Sequence, residues 1–120
     1  MNRYRGDHNL NAVVVSVNLQ DAADHHACDM AAHRMTGHKS SNGRSFKSRL
    51  KDSGYRNVLA AENIAMLSHQ GTAADLVRVW MASRAHKANI LLPGANFIGI
   101  GIAIEPGTTR NYYSMIIADR

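Results

Sequence analysis

Phe97-Ile98-Gly99-Ile100-Gly101-Ile102-Ala103-Ile104 alternates large and small side chains without a break. A period of two is the repeat of a strand, so Ile98, Ile100, Ile102 and Ile104 fall on one face and Gly99, Gly101 and Ala103 on the other. A face stripped to glycine invites the close approach of another backbone or a helix. Pro106-Gly107 supplies a turn, and Asn111 to Ala118 reads as a second strand, which makes a hairpin. Helical patterns fall mostly before this hairpin, and that order predicts an α+β fold, an antiparallel sheet covered by helices.

Working back from the hairpin, Thr72 opens the clearest helix, with Asp75 three residues on as its capping-box partner. Ala73, Leu76, Val77, Trp80 and Met81 form its apolar stripe, and the helix should end near Ser83. Arg84 to Leu92, with His86 and Asn89, reads as a polar-then-apolar turn closed by Pro93-Gly94. Earlier, Asn18 is the expected N-cap of a helix from Leu19 to His33. That helix carries Leu19, Ala22, Ala23, His26, Ala27 and Met30 on one side, and Asp21, Asp24, His25 and Cys28 on the other. Met35 to Ser45 is a loop of turn residues containing His38. A second helix, from Ser45 to Ser53, turns Phe46 and Leu50 inward, with Gly54 as its C′ residue. Tyr55 then begins an irregular lead-in to an extended segment around Glu62. At the start of the chain, Asn2, Tyr4 and Arg5 suit a short helix anchored by Tyr4, and Val13 to Val15 an extended run.

With 120 residues, 45% of them hydrophobic, the chain makes one domain spanning 1–120. No apolar run is long enough to span a bilayer, and no charged-then-apolar leader opens the given residues. The net charge is +5, and between Arg34 and Arg56 seven basic residues stand against one acid, Asp52. Such a stretch can hold anionic polymers, although a solvated surface gives the same pattern. Phe46 and Tyr55 are its only aromatic residues and no nucleic-acid motif is present, so specific nucleic-acid binding is not expected. Cys28 is the single cysteine, an outward free thiol that excludes an internal disulfide.

Chemistry centres on Ala61-Glu62-Asn63-Ile64-Ala65. Glu62 is bracketed by apolar residues, and a buried carboxylate needs partners. His38 and His86, both in turn-like settings, are the candidates. His26 lies on an apolar face and is expected to be a core histidine with one hydrogen bond. His25, Cys28 and Asp29 have the look of a metal cluster, but a solvated helix face gives the same residues and no second element supplies ligands. HExxH, Walker A and GxGxxG patterns are absent, which argues against zincin, P-loop and Rossmann enzymes.

These pieces together resemble the CAP superfamily (cysteine-rich secretory proteins, antigen 5 and pathogenesis-related 1 proteins), or SCP domain, in its short bacterial branch. The matching pieces are Asn2-Arg3-Tyr4-Arg5, Ala22-Ala23 with His26-Ala27 and Met30-Ala31, His38 followed by Gly43, Arg49 with Gly54-Tyr55, Glu62-Asn63-Ile64-Ala65, Trp80-Met81-Ala82-Ser83 with His86 and Asn89-Ile90-Leu91, and Gly99-Ile100-Gly101. The resemblance implies a three-layer α-β-α sandwich with a central, mainly antiparallel sheet. It also implies a cleft where His38, Glu62 and His86 meet, with Asn63 and Ser83 beside them. Ser83 stands where many members of eukaryotic origin have a second glutamate, Ala61 where a glycine is usual, and Arg84-Ala85 where proline and glycine are usual.

Two histidines and a glutamate match the ligands of an open zinc site, so His38, His86 and Glu62 are candidate ligands for a divalent metal and candidate catalytic groups. A metal-free polar cluster fixing two loops uses the same residues. Ser83, His86 and Glu62 can be drawn as a triad, but no nucleophile elbow or oxyanion-hole sequence accompanies them. Two functions follow. The favoured one is a non-catalytic module outside the cytoplasm whose cleft binds a small ligand, an ion, an envelope polymer or a protein. The alternative is a divalent-metal-dependent hydrolase. Family members are mostly exported, which implies a secreted or periplasmic location and a leader already removed.

Overall fold

Glycine decides how the two main elements meet. In the computed structural model, which describes residues 1–56, 59–69 and 71–120, a Cβ built on Gly99 would lie 2.3 Å from the backbone of Leu19 and Gln20. One built on Gly101 would lie 2.3 Å from the backbone of Ala23. The helix α2 (Val17–His33) therefore rests directly on the bare face of strand β3 (Phe97–Ile104). That is the close approach the alternation predicts.

β3 pairs antiparallel with β4 (Asn111–Ala118), which pairs antiparallel with β2 (Ala60–Leu67). The two-residue β1 (Val14–Val15) adds to β3 in parallel, giving the order β1-β3-β4-β2. Sheet positions alternate between two cores. Ile116 and Ala118 pack with Leu19, Ala22, Ala23 and Leu50 beneath α2 and α3 (Phe46–Asp52). Tyr113, Met115 and Ile117 pack on the opposite face with Leu76, Val77, Trp80 and Ile90 from α4 (Ala73–Met81) and α5 (Arg84–Ile90). β4 is buried along its whole length. The result is a helix–sheet–helix sandwich, α+β in class.

Several boundaries differ from the reading of the sequence. Ser16, not Asn18, caps α2, accepting from the Leu19 N–H at 3.4 Å; the helix starts two residues early because Ser16 is already extended and offers a hydroxyl at the right offset. Arg84 to Ile90 is a helix rather than a turn. Its polar composition hides it, since Ile90 is its one buried residue. Thr72 and Asp75 form the expected capping box, and α4 ends at Met81. Gly54 follows α3 with φ +80°, as a C′ glycine should. The irregular lead-in after Tyr55 includes 57–58, which lie outside the described residues.

α1 (Asn2–Asp7) is fastened chiefly by Arg5 rather than by Tyr4. Tyr4 packs half-buried against the α4–α5 side of the core, but Arg5 is wholly buried. Its guanidinium donates to the carbonyls of Asn11, Ile90, Leu92 and Ala95 at 2.8–3.2 Å. It stitches the start of the chain to the segment between α5 and β3. Burial alone pulls its pKa down from the ordinary arginine value.

Candidate functional site

β2 is an edge strand, and successive side chains on a strand point to opposite faces. Glu62 pairs across from Ile116 and turns under the α2 layer, whereas Asn63 pairs across from Met115 and turns under α4 and α5. The two neighbours in the motif therefore anchor two different layers.

On the α2 side the Glu62 side chain is 1% exposed, and both oxygens are engaged. His38 Nδ1 lies 2.9 Å from Oε1. Arg49 Nη2 reaches Oε1 at 2.8 Å and Oε2 at 3.0 Å. Ser114 Oγ donates to Oε2 at 3.1 Å. The same Arg49 nitrogen donates to the His38 carbonyl at 2.7 Å, so Arg49 holds both Glu62 and the loop that carries His38. That loop has two more ties. The buried His26 places Nε2 2.7 Å from the Gly37 carbonyl, and Asp29 accepts from Ser41 N–H at 2.7 Å and Ser41 Oγ at 2.6 Å. Burial pushes the His26 pKa down, against its bond to Gly37, so its neutral form is favoured. Burial also acts to raise the Asp29 carboxyl, but the two Ser41 bonds prevail and hold it below its usual range. The expectation of a core histidine with one hydrogen bond is met at His26.

On the other side Asn63 is fully buried and donates to the His86 carbonyl at 3.0 Å. Asn89 Nδ2 lies 2.8 Å from Asn63 Oδ1 and 3.3 Å from the Glu62 carbonyl. Trp80 Nε1 donates to the Ile64 carbonyl at 3.1 Å. Asn89 and Trp80 thus satisfy carbonyls on the outer edge of β2. His86 enters this network through its backbone; among the described residues no hydrogen bond joins its imidazole to Glu62 or His38. Ser83 stands at the start of α5 without a side-chain capping bond.

The donor set can be tested against a divalent metal. Among the described residues no three His, Cys, Asp or Glu side chains gather closely enough to hold an ion; this applies equally to His25, Cys28 and Asp29. A cation at Glu62 would also meet the Arg49 guanidinium, a fixed positive charge bonded to both carboxylate oxygens. As arranged, the residues do not fit a metal.

Arg49 is the member that reading the sequence as a site missed. It lies within the basic stretch whose pattern a solvated surface also gives, yet its side chain is only 12% exposed. Its i+3 relation to Phe46, whose ring lies 5.6 Å from the guanidinium, was the available signal. Beside this cluster a cavity of about 460 Å³ opens between α2, the 40–44 loop and α3, with His26 and Arg49 in its wall. Among the described residues, His26 Nδ1 and Arg49 Nε and Nη1 are buried without a hydrogen-bond partner. Cys28 is a free, exposed thiol.

Comparison with known proteins agrees with this architecture. The model of the cysteine-rich secretory protein family, CAP, matches residues 1–117. No curated protein matches the chain. An extracellular protein containing an SCP domain from Bacillus anthracis superposes with TM-score 0.82 at 24% identity, covering 99% of this chain and 37% of that one. An outer surface protein of Borrelia burgdorferi gives 0.86 at 18% identity, covering 99% and 86%. A cysteine-rich secretory protein from Staphylococcus aureus gives 0.73 at 17%, covering 99% and 35%. The chain thus spans little more than a third of two of these proteins. At such identities the likeness is one of fold, and the family follows from the match over nearly every residue: the chain belongs to the cysteine-rich secretory protein (CAP) family.

Proposed function

We propose that this chain is a non-catalytic CAP module acting outside the cytoplasm, and that it binds an acceptor-rich ligand, such as an envelope polymer, beside the Glu62 cluster. The observation that carries this reading is the state of Arg49. It neutralises Glu62, which leaves that carboxylate neither free as a base nor open to a metal, and its other two nitrogens, Nε and Nη1, are buried without hydrogen-bond partners beside the cavity. Those donors suit a ligand oxygen. Lys39 and Lys47 are exposed nearby, while the cavity wall itself sets Asp21, Asp29 and Asp52 against Arg44 and Arg49, with Arg44 paired to Asp52. The His38 side chain, 60% exposed, is the part of the cluster presented to such a partner. The location rests on the extracellular and outer-surface proteins that share the fold, and no described helix is long and apolar enough to cross a membrane.

Nuclear magnetic resonance titration with a heparin oligosaccharide, as an acceptor-rich probe, tests the reading. Shift changes should map to His38, the 40–44 loop and Arg49, and should fade in His38→Ala. Zinc-dependent ester or peptide hydrolysis abolished by Glu62→Gln would establish the hydrolase instead.

A further inference from the structure

Both edges of the sheet are partly capped. At β2 the outward carbonyls of Glu62 and Ile64 are taken by Asn89 and Trp80. At β3 the first part of the edge is covered too. Val14 N–H donates to Asn96 O at 3.0 Å and Ser16 N–H to Ile98 O at 2.9 Å. The Gln20 carboxamide then closes both the N–H and the C=O of Ile100. Backbone groups of a strand alternate in direction, so the groups pointing outward beyond Ile100 are those of Ile102 and Ile104. Neither pair has a hydrogen-bond partner among the described residues.

The same edge concentrates apolar surface. Seven large apolar side chains are exposed among the described residues. Five of them belong to β1, the first residue of α2 and the end of β3: Val14, Val15, Val17, Ile102 and Ile104. Ile102 and Ile104 are 56% and 58% exposed. The edge also lacks the usual devices against pairing, which are lysine, proline and a bulge. Residues 9–20 and 93–104 contain no Asp, Glu, Lys or Arg, in a chain of net charge +5. Charged groups flank its open end, with Asp24 on α2 beside Gly101 and with Arg34 and Arg110 beside Glu105.

We infer that the open end of β3 is the surface on which a second copy of this chain docks, its β3 adding antiparallel to form one continuous sheet across a two-fold axis. The register follows from the open groups. Only Ile102 opposite the partner's Ile104, and the reverse, lets every outward N–H and C=O of both strands pair. Shifting by two residues sets one strand against Ile100, already closed by Gln20, or against Pro106, which has no N–H. The paired isoleucines then lie on one face of the joined sheet as cross-strand β-branched contacts, so one strip supplies both the ladder and its apolar cover. The inference is independent of the ligand-binding reading.

Sedimentation equilibrium under reducing conditions, so that Cys28 cannot link chains, is the test. Wild type should show a concentration-dependent monomer–dimer equilibrium, with the amides of Ile102 and Ile104 exchanging more slowly as concentration rises. Ile104→Pro removes an outward N–H while leaving the β3–β4 ladder intact, and should weaken association by about tenfold or more. Ile102→Lys should do the same by placing like charges across the axis, and stands in if the proline variant does not fold. Val79→Lys, at an exposed apolar residue on α4, should leave association unchanged. A wild type that stays monomeric throughout, or a dimer insensitive to the β3 substitutions, or one broken by Val79→Lys, would overturn the inference.

Discussion

Arg49 has the largest consequence of any single side chain for how the site is understood. It is the fixed cation of a nearly buried ion pair with Glu62 and a tie to the His38 loop. Removing one partner of such a pair leaves an uncompensated buried charge, so Arg49→Ala should cost about 3–5 kcal/mol in urea unfolding. Arg49→Lys should recover only part of that loss, because one ammonium cannot reproduce the contacts of Nη2 in the same geometry. His26 governs a pH dependence. Its folded pKa lies below the unfolded value near 6.5, so above that value both states are neutral and it has no effect. Below it, the unfolded chain takes up a proton that the folded chain resists, and stability falls as pH drops. The groups facing it are the Gly37 carbonyl, Glu62, Arg49 and Asp29. His26→Gln cannot titrate, and its urea midpoint should fall less than that of wild type between about pH 7 and pH 5. The burial of Glu62 and the core setting of His26 were legible from their apolar flanks. Which cation meets Glu62 was not, because local sequence does not separate a buried arginine from the solvated ones around it.

Between elements, the seat of α2 on β3 is the tightest fit in the fold. Gly101→Ala would drive a methyl group against the Ala23 backbone, which has no side-chain freedom with which to yield. The substitution should destabilise by about 1–3 kcal/mol or more, read as a lowered melting temperature. Gly6→Ala offers the contrast. Nothing lies within 4 Å of the added Cβ in α1, and a gain of up to about 1 kcal/mol is expected there from helix propensity. The alternation of glycine and isoleucine makes this contact legible in the sequence, because a strand face without side chains has only one use in a packed core. The helix α5 is not legible in the same way. A seven-residue helix with one buried side chain has no apolar stripe, and its place is set by Arg5, Asn63 and Asn89, which act from distant parts of the chain.

For the molecule as a whole, the sandwich brings two histidine-bearing segments to one edge strand but engages them differently, His38 through its ring and His86 through its carbonyl. Family resemblance names both residues. Only the pleat of β2, which sends Glu62 and Asn63 to opposite faces, assigns them to separate layers. In the proposed reading Arg49, and not a metal, completes Glu62. A crystal soaked in zinc and measured at the zinc absorption edge tests this most directly. No anomalous peak should lie within ligand distance of Glu62, with Arg49 still bonded to both carboxylate oxygens. A peak shared by Glu62 and His38, with the Arg49 guanidinium withdrawn, would contradict it.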